Sequence, residues 1–104
     1  MIDLDVAKQH LRIDHDGEDE LIQMQVEASI ECASNYLNRS IIASESDRKG
    51  LNDIVINSSI KAASLLILGA LYENRENEII GSITSSLKFG AKSLLDPYRI
   101  GMGV

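Results

Sequence analysis

The chain has 104 residues, one cysteine and a formal net charge of −6 at pH 7. Its length provides one modest core, so we expect a single domain, residues 1–104, and one cysteine excludes an internal disulfide framework. Twelve acidic and five basic residues precede Ile54, whereas four acidic and five basic residues lie from Ile54 to Val104. Because non-specific DNA affinity comes from Lys and Arg neutralising phosphates, this balance argues against a protein that grips DNA. The N-terminal stretch lacks the basic and apolar regions of a signal peptide, so we expect folding in a cytoplasm.

The N-terminal residues have the spacing of a short helix with one buried face. Leu4, Ala7 and Leu11 are separated by three and four residues, which places them on one side of a helix. Asp3 precedes them and is a residue type that caps helix starts. We expect a first helix over about residues 4–11.

The second predicted helix is long and amphipathic. Gly17 breaks the preceding pattern, Asp16 can act as the cap, and three acidic residues then occupy the first turn, where the helix dipole favours negative charge. Asn38 and the polar residues around it predict where the helix ends. We expect this helix over about residues 18–37, with its buried face formed by Ile22, Val26, Ala33 and Leu37.

The connector over residues 39–56 has no helical periodicity. It contains two short apolar runs, Ile41–Ile42 and Ile54–Ile56, and either could be extended, although so few residues do not establish a strand. A loop of this length in a small domain is usually a partner-binding arm or is partly disordered. Residues 77–88 form a second stretch without a pattern, and we expect a second flexible loop there.

The stretch from Asn57 to Glu76 is the most apolar part of the chain. Its apolar residues surround most of a helix, which predicts burial on nearly all sides. Lys61 and Ser64 interrupt the run, which is shorter than the roughly 20 residues of a membrane span. We expect a core helix over about residues 58–75.

A short final helix is predicted over about residues 90–95, because the residue before Pro97 disfavours the helical region. The predicted fold class is therefore all-α. It is a small bundle of two long helices, at about 18–37 and 58–75, with short N- and C-terminal helices and long loops at about 39–56 and 77–88.

No catalytic, cofactor or metal site is predicted. The acidic run at residues 14–18 does not match a calcium loop, because Arg12 and Gln23 occupy positions that require carboxylates. The five-residue spacing of His10 and His15 does not align two ligands on one helix face. No serine lies in a nucleophile elbow. We therefore expect a protein that is not an enzyme and has no cofactor.

Gly69 lies inside the predicted core helix, where glycine costs roughly 1 kcal/mol relative to alanine. The usual compensation is close approach by another backbone. That backbone belongs either to the same chain or to a neighbouring subunit.

Three segments, taken together and in this order, resemble the head–tail connector family of tailed bacteriophages, also described as head completion or DNA-packaging adaptor proteins. The similar segments cover nearly the whole chain: residues 4–12 (LDVAKQHLR) with the acidic loop after them, residues 60–63 (IKAA) leading into residues 71–76 (LYENRE), and Phe89-Gly90 followed by residues 94–99 (LLDPYR).

The resemblance implies an all-helical subunit of a ring between the portal and the tail. Such a ring extends the DNA channel and completes the head after packaging. The implied partners are other copies of the chain, the portal protein, a tail or head-closure protein, and double-stranded DNA that passes through without sequence-specific binding. No membrane partner is implied. The implied location is the virion head–tail interface, with assembly in the host bacterial cytoplasm.

The resemblance also suggests interaction residues. Tyr72, Glu73, Asn74 and Arg75 are candidates for a cluster that contacts a neighbouring subunit or anchors a loop. Phe89, Tyr98 and Arg99 are candidates for docking the C-terminal segment on the core or on the portal, and Gly69 is a candidate subunit contact. For each of these residues, packing within the chain is the alternative.

The main competing hypothesis is a small helical regulatory or nucleic-acid-binding module. Against it, the second predicted helix contains five acidic residues and no Lys or Arg, so it does not have the character of a recognition helix. A third possibility is a small helical enzyme subunit or partner-binding adaptor, for which the sequence supplies no site.

Overall fold

The computed structural model describes residues 2–73 and 89–100 of the chain, and of Phe89 only the backbone. Four α-helices lie in this part: α1 (Leu4–Leu11), α2 (Asp19–Leu37), α3 (Ser58–Glu73) and α4 (Phe89–Leu95). Two short strands, β1 (Ile41–Ile42) and β2 (Ile54–Val55), and two 3₁₀ turns, Glu45–Asp47 and Asp96–Tyr98, complete the description. The predicted all-α fold is confirmed, and the predicted helices lie where they were expected within the described residues, whereas residues 74 and 75 of the predicted core helix lie outside them.

The end of α2 is as predicted, but its beginning is not. Asn38 follows the last turn in the left-handed region with φ of 57°, a conformation that asparagine tolerates. At the start, Glu18 occupies the cap position without a side-chain bond to the backbone. Asp16 does not cap the helix, because its carboxylate is bound by the Lys8 ammonium. Asp3 likewise makes no side-chain cap bond at the start of α1.

Helix α3 lies at the centre of the bundle and contacts α1, α2 and α4. Its start is capped by Asn57, whose Oδ1 accepts the Ile60 N–H at 2.9 Å. The buried face of α3 is wide, but it does not surround the helix. Lys61 and Leu66 are exposed on the remaining stripe, so the predicted burial on nearly all sides was too extensive.

The buried side chains form two clusters along α2 and α3. One lies beside α1 and consists of Ile2, Ala7, Ile22, Val26 and Leu68. The other joins the second half of α2 to β1, α3 and α4, and consists of Cys32, Ala33, Leu37, Ile41, Ile60, Ala63, Ile67, Leu71, Ala91 and Leu95. All four residues predicted for the buried face of α2 are at most 2% exposed.

The connector over residues 39–56 is not simply a loop, which corrects the prediction. Strands β1 and β2 pair in parallel, with Ile41 opposite Ile54 and Ile42 opposite Val55. Ile41 is buried in the larger cluster, so burial of its side chain fixes the pairing. A run of two or three apolar residues is too short to show a period of two, and for this reason no strand was predicted here. The predicted loop at 77–88 lies outside the described residues.

Candidate functional site

Among the predicted interaction residues whose side chains the structure describes, Tyr72 and Arg99 lie at opposite ends of α2. This helix has 19 residues and is therefore about 28 Å long. Tyr72 lies near its first residue, where it contacts Glu18, and Arg99 lies near its last turn, where it contacts Tyr36. The structure does not bring Tyr72 and Arg99 together, so these residues belong to two separate sites.

The first site, the N-terminal corner, consists of Lys8, Asp16, Glu18, Asp19 and Tyr72. The Tyr72 hydroxyl donates a hydrogen bond to Glu18 Oε1 at 2.9 Å, which joins the end of α3 to the start of α2. The Lys8 ammonium lies 2.8 Å from a carboxylate oxygen of Asp16 and 2.8 Å from one of Asp19. These ion pairs join α1 to the start of α2. Three helices therefore meet here through charged or polar side chains.

The electrostatics of the N-terminal corner depend on Lys8. Its side chain is only 13% exposed, and its ammonium lies between the two carboxylates. Hydrogen bonds to Asp16 and then Asp19 raise the pKa of the Lys8 ammonium. The hydrogen bond from Lys8 lowers the pKa of the Asp16 carboxyl. These shifts favour the charged forms of both Lys8 and Asp16 at neutral pH, so the two groups form an ion pair.

The other predicted interaction residues near the end of α3 do not take part in the N-terminal corner as the structure describes it. Glu73 is exposed at the last described residue of α3, and Asn74 and Arg75 lie outside the described residues. A Cβ built on Gly69 would lie 3.7 Å from His10 Nε2, an ordinary contact with a side chain of α1. The expected close approach of another backbone to Gly69 is therefore not seen among the described residues.

The second site, the C-terminal clasp, holds residues 96–100 against the last turn of α2. The Ile100 N–H donates to the Leu37 carbonyl at 3.0 Å, and Asn38 Nδ2 returns a bond to the Ile100 carbonyl at 2.9 Å. Arg39 donates from Nη1 to the Tyr98 carbonyl at 3.1 Å and from Nε to the Asn52 carbonyl at 2.7 Å. These bonds satisfy carbonyl groups that the end of α2 and the 3₁₀ turn leave open.

Tyr36 adds a polar contact to the clasp. Its hydroxyl donates to Asp96 Oδ1, and the Arg99 guanidinium lies over its ring, 4.7 Å from the centroid. Arg99 Nε also donates to the Tyr36 carbonyl at 2.9 Å. The hydrogen bond to Asp96, together with burial, raises the pKa of the Tyr36 hydroxyl. Tyr98 and Arg99 thus contact residues of their own chain, whereas Phe89 begins α4 and its side chain is outside the description.

Sequence reasoning missed Arg39, Asp96 and Lys8 as members of these sites. The signal for Arg39 was weak: it follows the asparagine that ends α2, where an arginine can reach open carbonyl groups. Lys8 lies within the first similar segment, but only the structure shows that it reaches residues eight and eleven positions later.

No group of three metal-ligating side chains lies close enough to hold an ion within residues 2–73 and 89–100. In the same residues, no helix combines the length and apolar character of a membrane span. The structure therefore describes a small helical bundle whose polar sites join its own elements at both ends of α2.

The fold and the sites thus define the class of the protein as a small helical bundle with polar contacts at both ends of its second helix. A family model described as "Phage gp6-like head-tail connector protein" matches residues 1–99, and the chain belongs to this family. Comparisons with curated proteins and with solved structures gave no match. Membership of the family assigns the chain a structural adaptor role at the head–tail interface of a phage virion.

Proposed function

We propose that the chain forms a ring beneath the portal, where it joins the portal to the tail, extends the DNA channel and completes the head after packaging. The observation that carries this proposal is the family match, which covers residues 1–99 and so includes α1 to α4. On this proposal the chain is one connector domain, assembles in the host bacterial cytoplasm and catalyses no reaction.

The distribution of charge supports a protein that lies close to DNA without binding it. Acidic residues are concentrated in the N-terminal half, and α2 contains no Lys or Arg. Such a surface repels phosphates, so double-stranded DNA can pass without being held. We propose that the acidic half faces the channel or its rim, and a ring with a basic lumen would contradict this.

The two sites give different roles to the predicted interaction residues. Glu73 is exposed at the end of α3 and is proposed, with Asn74 and Arg75, to contact a neighbouring subunit or to anchor a loop. Tyr98 and Arg99 are proposed to present the C-terminal segment to the portal through the backbone that they hold in place. Tyr72 is proposed to orient Glu18 and the start of α2.

Native mass spectrometry and negative-stain imaging over a range of concentrations, with and without purified portal protein, test this function. Closed rings or a complex with the portal are the expected result. A chain that remains monomeric at every concentration and has no affinity for the portal would overturn the proposal. Retention on a DNA column at physiological salt would favour the alternative of a nucleic-acid-binding module.

A further inference from the structure

The segment between β1 and β2, residues 43–53, which we call the arm, carries the most exposed large apolar side chain among the described residues. Leu51 is 95% exposed at the tip of the arm. An isolated exposed leucine is common on protein surfaces and needs no explanation by itself. Leu51 differs from such a residue because hydrogen bonds from Arg48 hold its backbone.

The tip of the arm is braced by two side chains. Arg48 Nη1 lies 3.2, 3.4 and 2.7 Å from the carbonyl oxygens of Gly50, Leu51 and Asp53, and the same guanidinium pairs with Glu45. Asp53 Oδ2 accepts the backbone N–H groups of Lys49 at 2.8 Å and Gly50 at 3.2 Å. The turn is therefore pre-organised, and little conformational freedom remains to be lost when Leu51 is buried.

A cavity of matching size lies between α1 and the first turns of α3. It is lined by Ile2, Asp3, Val6, Lys61 and Leu65, and its volume is about 80 Å³. An apolar cavity of about 150 Å³ accommodates benzene, so this cavity is on the scale of the four carbons of a leucine side chain. Val6, at its edge, is 43% exposed.

The charges around the two features are complementary. Lys49, beside Leu51 on the arm, is exposed and makes no ion pair among the described residues. Asp3, at the rim of the cavity, is exposed and makes no cap bond, so its carboxylate is available to an ammonium group. Lys61 also lines the cavity, and its positive charge is opposite in sign to the exposed Glu45 and Asp47 of the arm.

We propose that Leu51 of one copy of the chain inserts into the cavity beside Val6 of the next copy. The arm and the cavity are different surfaces, so each copy that receives an arm still has its own arm to offer. A contact of this heterologous kind generates a closed ring when the rotation between copies closes. The inference rests on the proposed function and names the contact by which the ring forms.

Mixed cross-linking tests the contact directly. A Leu51→Cys variant is mixed with a Val6→Cys variant and oxidised, and the natural Cys32 is left in place because it is only 7% exposed. A disulfide-linked dimer containing one chain of each kind is expected, since two single variants can be joined only between chains. Met24→Cys replaces Val6→Cys in the control, because Met24 is 59% exposed on α2 and does not line the cavity. Equal cross-linking to both positions would overturn the inference.

Truncation of the leucine gives the second measurement. Leu51→Ser is expected to weaken subunit association about 10- to 100-fold, so rings form only at correspondingly higher concentration. Met24→Ser, the matched control, leaves the ring-forming concentration unchanged. The unfolding midpoint of the Leu51→Ser monomer also stays unchanged, because the side chain is exposed in the monomer.

The outcomes separate this inference from the proposed function. Rings that assemble with Leu51→Ser at the same concentration as with the natural chain would overturn the arm contact and leave the ring adaptor standing. A natural chain that never forms rings, with or without portal protein, would overturn the proposed function and the arm contact together.

Discussion

The N-terminal corner and the C-terminal clasp fix opposite ends of α2 by different kinds of bond. In the corner, the ammonium of Lys8 lies between the carboxylates of Asp16 and Asp19, so the contact is made of charges. In the clasp, most bonds end on backbone carbonyl groups, including the direct bond from Ile100 to Leu37. One end of the helix is held by ion pairs, and the other is held mainly by hydrogen bonds to backbone carbonyl groups.

This difference determines how each end responds to its surroundings. Partly exposed ion pairs are screened by salt and change with pH. Bonds from a side chain to a carbonyl group depend little on ionic strength, and their loss leaves the carbonyl without a partner. The clasp should therefore be the more stable end of the molecule. The stability of the corner should depend more strongly on salt and pH.

The largest effect is expected from Arg39→Met, which removes both donors from the clasp but keeps a long apolar side chain. The partly buried Tyr98 carbonyl loses its partner, whereas water can replace the donor at the exposed Asn52 carbonyl, and the free energy of unfolding should fall by about 1 to 2 kcal/mol. Urea denaturation of the monomer measures the change. The matched control is Arg48→Met, since Arg48 donates only within the exposed arm and a smaller effect is expected. Equal losses from the two variants would show that the bonds of Arg39 contribute no more to stability than bonds within the exposed arm.

Gly69→Ala is expected to stabilise the monomer by up to about 1 kcal/mol, because alanine favours the helix and the added Cβ makes only an ordinary contact with His10. Thermal unfolding measures the monomer, and native mass spectrometry measures assembly. A more stable monomer that assembles less well would identify Gly69 as a contact with a neighbouring subunit. A destabilised monomer would contradict the space that the structure gives to this position.

Lys8→Met should lower the unfolding midpoint by less than Arg39→Met does, and the loss should depend on salt. The natural chain benefits from the ion pairs at low ionic strength, so the difference between the two chains should shrink as sodium chloride rises from about 0.05 M to about 1 M. Lys92→Met is the control, since Lys92 makes no ion pair within the described part of the chain. A difference that does not change with salt would remove the contrast between the two ends.

The smallest effects are expected from pH, and they should act on the two ends in opposite directions. The Asp16 pKa is lowered from its ordinary value of 3.8 in the folded chain, so its contribution is present above that value and is lost as pH falls below it. The Tyr36 pKa is raised from 10.0, so its contribution is present below that value and is lost as pH rises through the folded value.

Two substitutions separate these limbs. Asp16→Asn should flatten only the acid limb of a stability–pH profile measured by chemical denaturation, and Tyr36→Phe should flatten only the alkaline limb. A single variant that flattens both limbs would show that the two ends are coupled.

The helices were predictable because each contains enough residues to show its period. Ile22, Val26, Ala33 and Leu37 repeat over four turns of α2, and burial of all four follows from that repeat. The parallel pairing of β1 with β2 was not predictable, since two residues in each strand carry no period and the partners are thirteen positions apart. Their pairing depends on how Ile41 is buried in the finished bundle.

The two sites were only partly predictable, for a related reason. Tyr72, Tyr98 and Arg99 were selected from their resemblance to family segments, and each makes a contact in one of the sites. Lys8 and Arg39 were not selected, because their partners are distant in the sequence or are carbonyl groups, which every residue possesses. Asp16 was assigned to a cap because the spacing allowed it, but the nearby ammonium competes successfully for its carboxylate.

Arg39 has one more consequence, which concerns movement. Its guanidinium is bonded at the same time to Asn52, next to the tip of the arm, and to Tyr98, in the C-terminal segment. A force that displaces the arm must either break one of these bonds or carry the C-terminal segment with it. Arg39 thus links the arm to the C-terminal segment. A neighbour that pulls on the arm therefore either breaks a bond of Arg39 or moves the C-terminal segment.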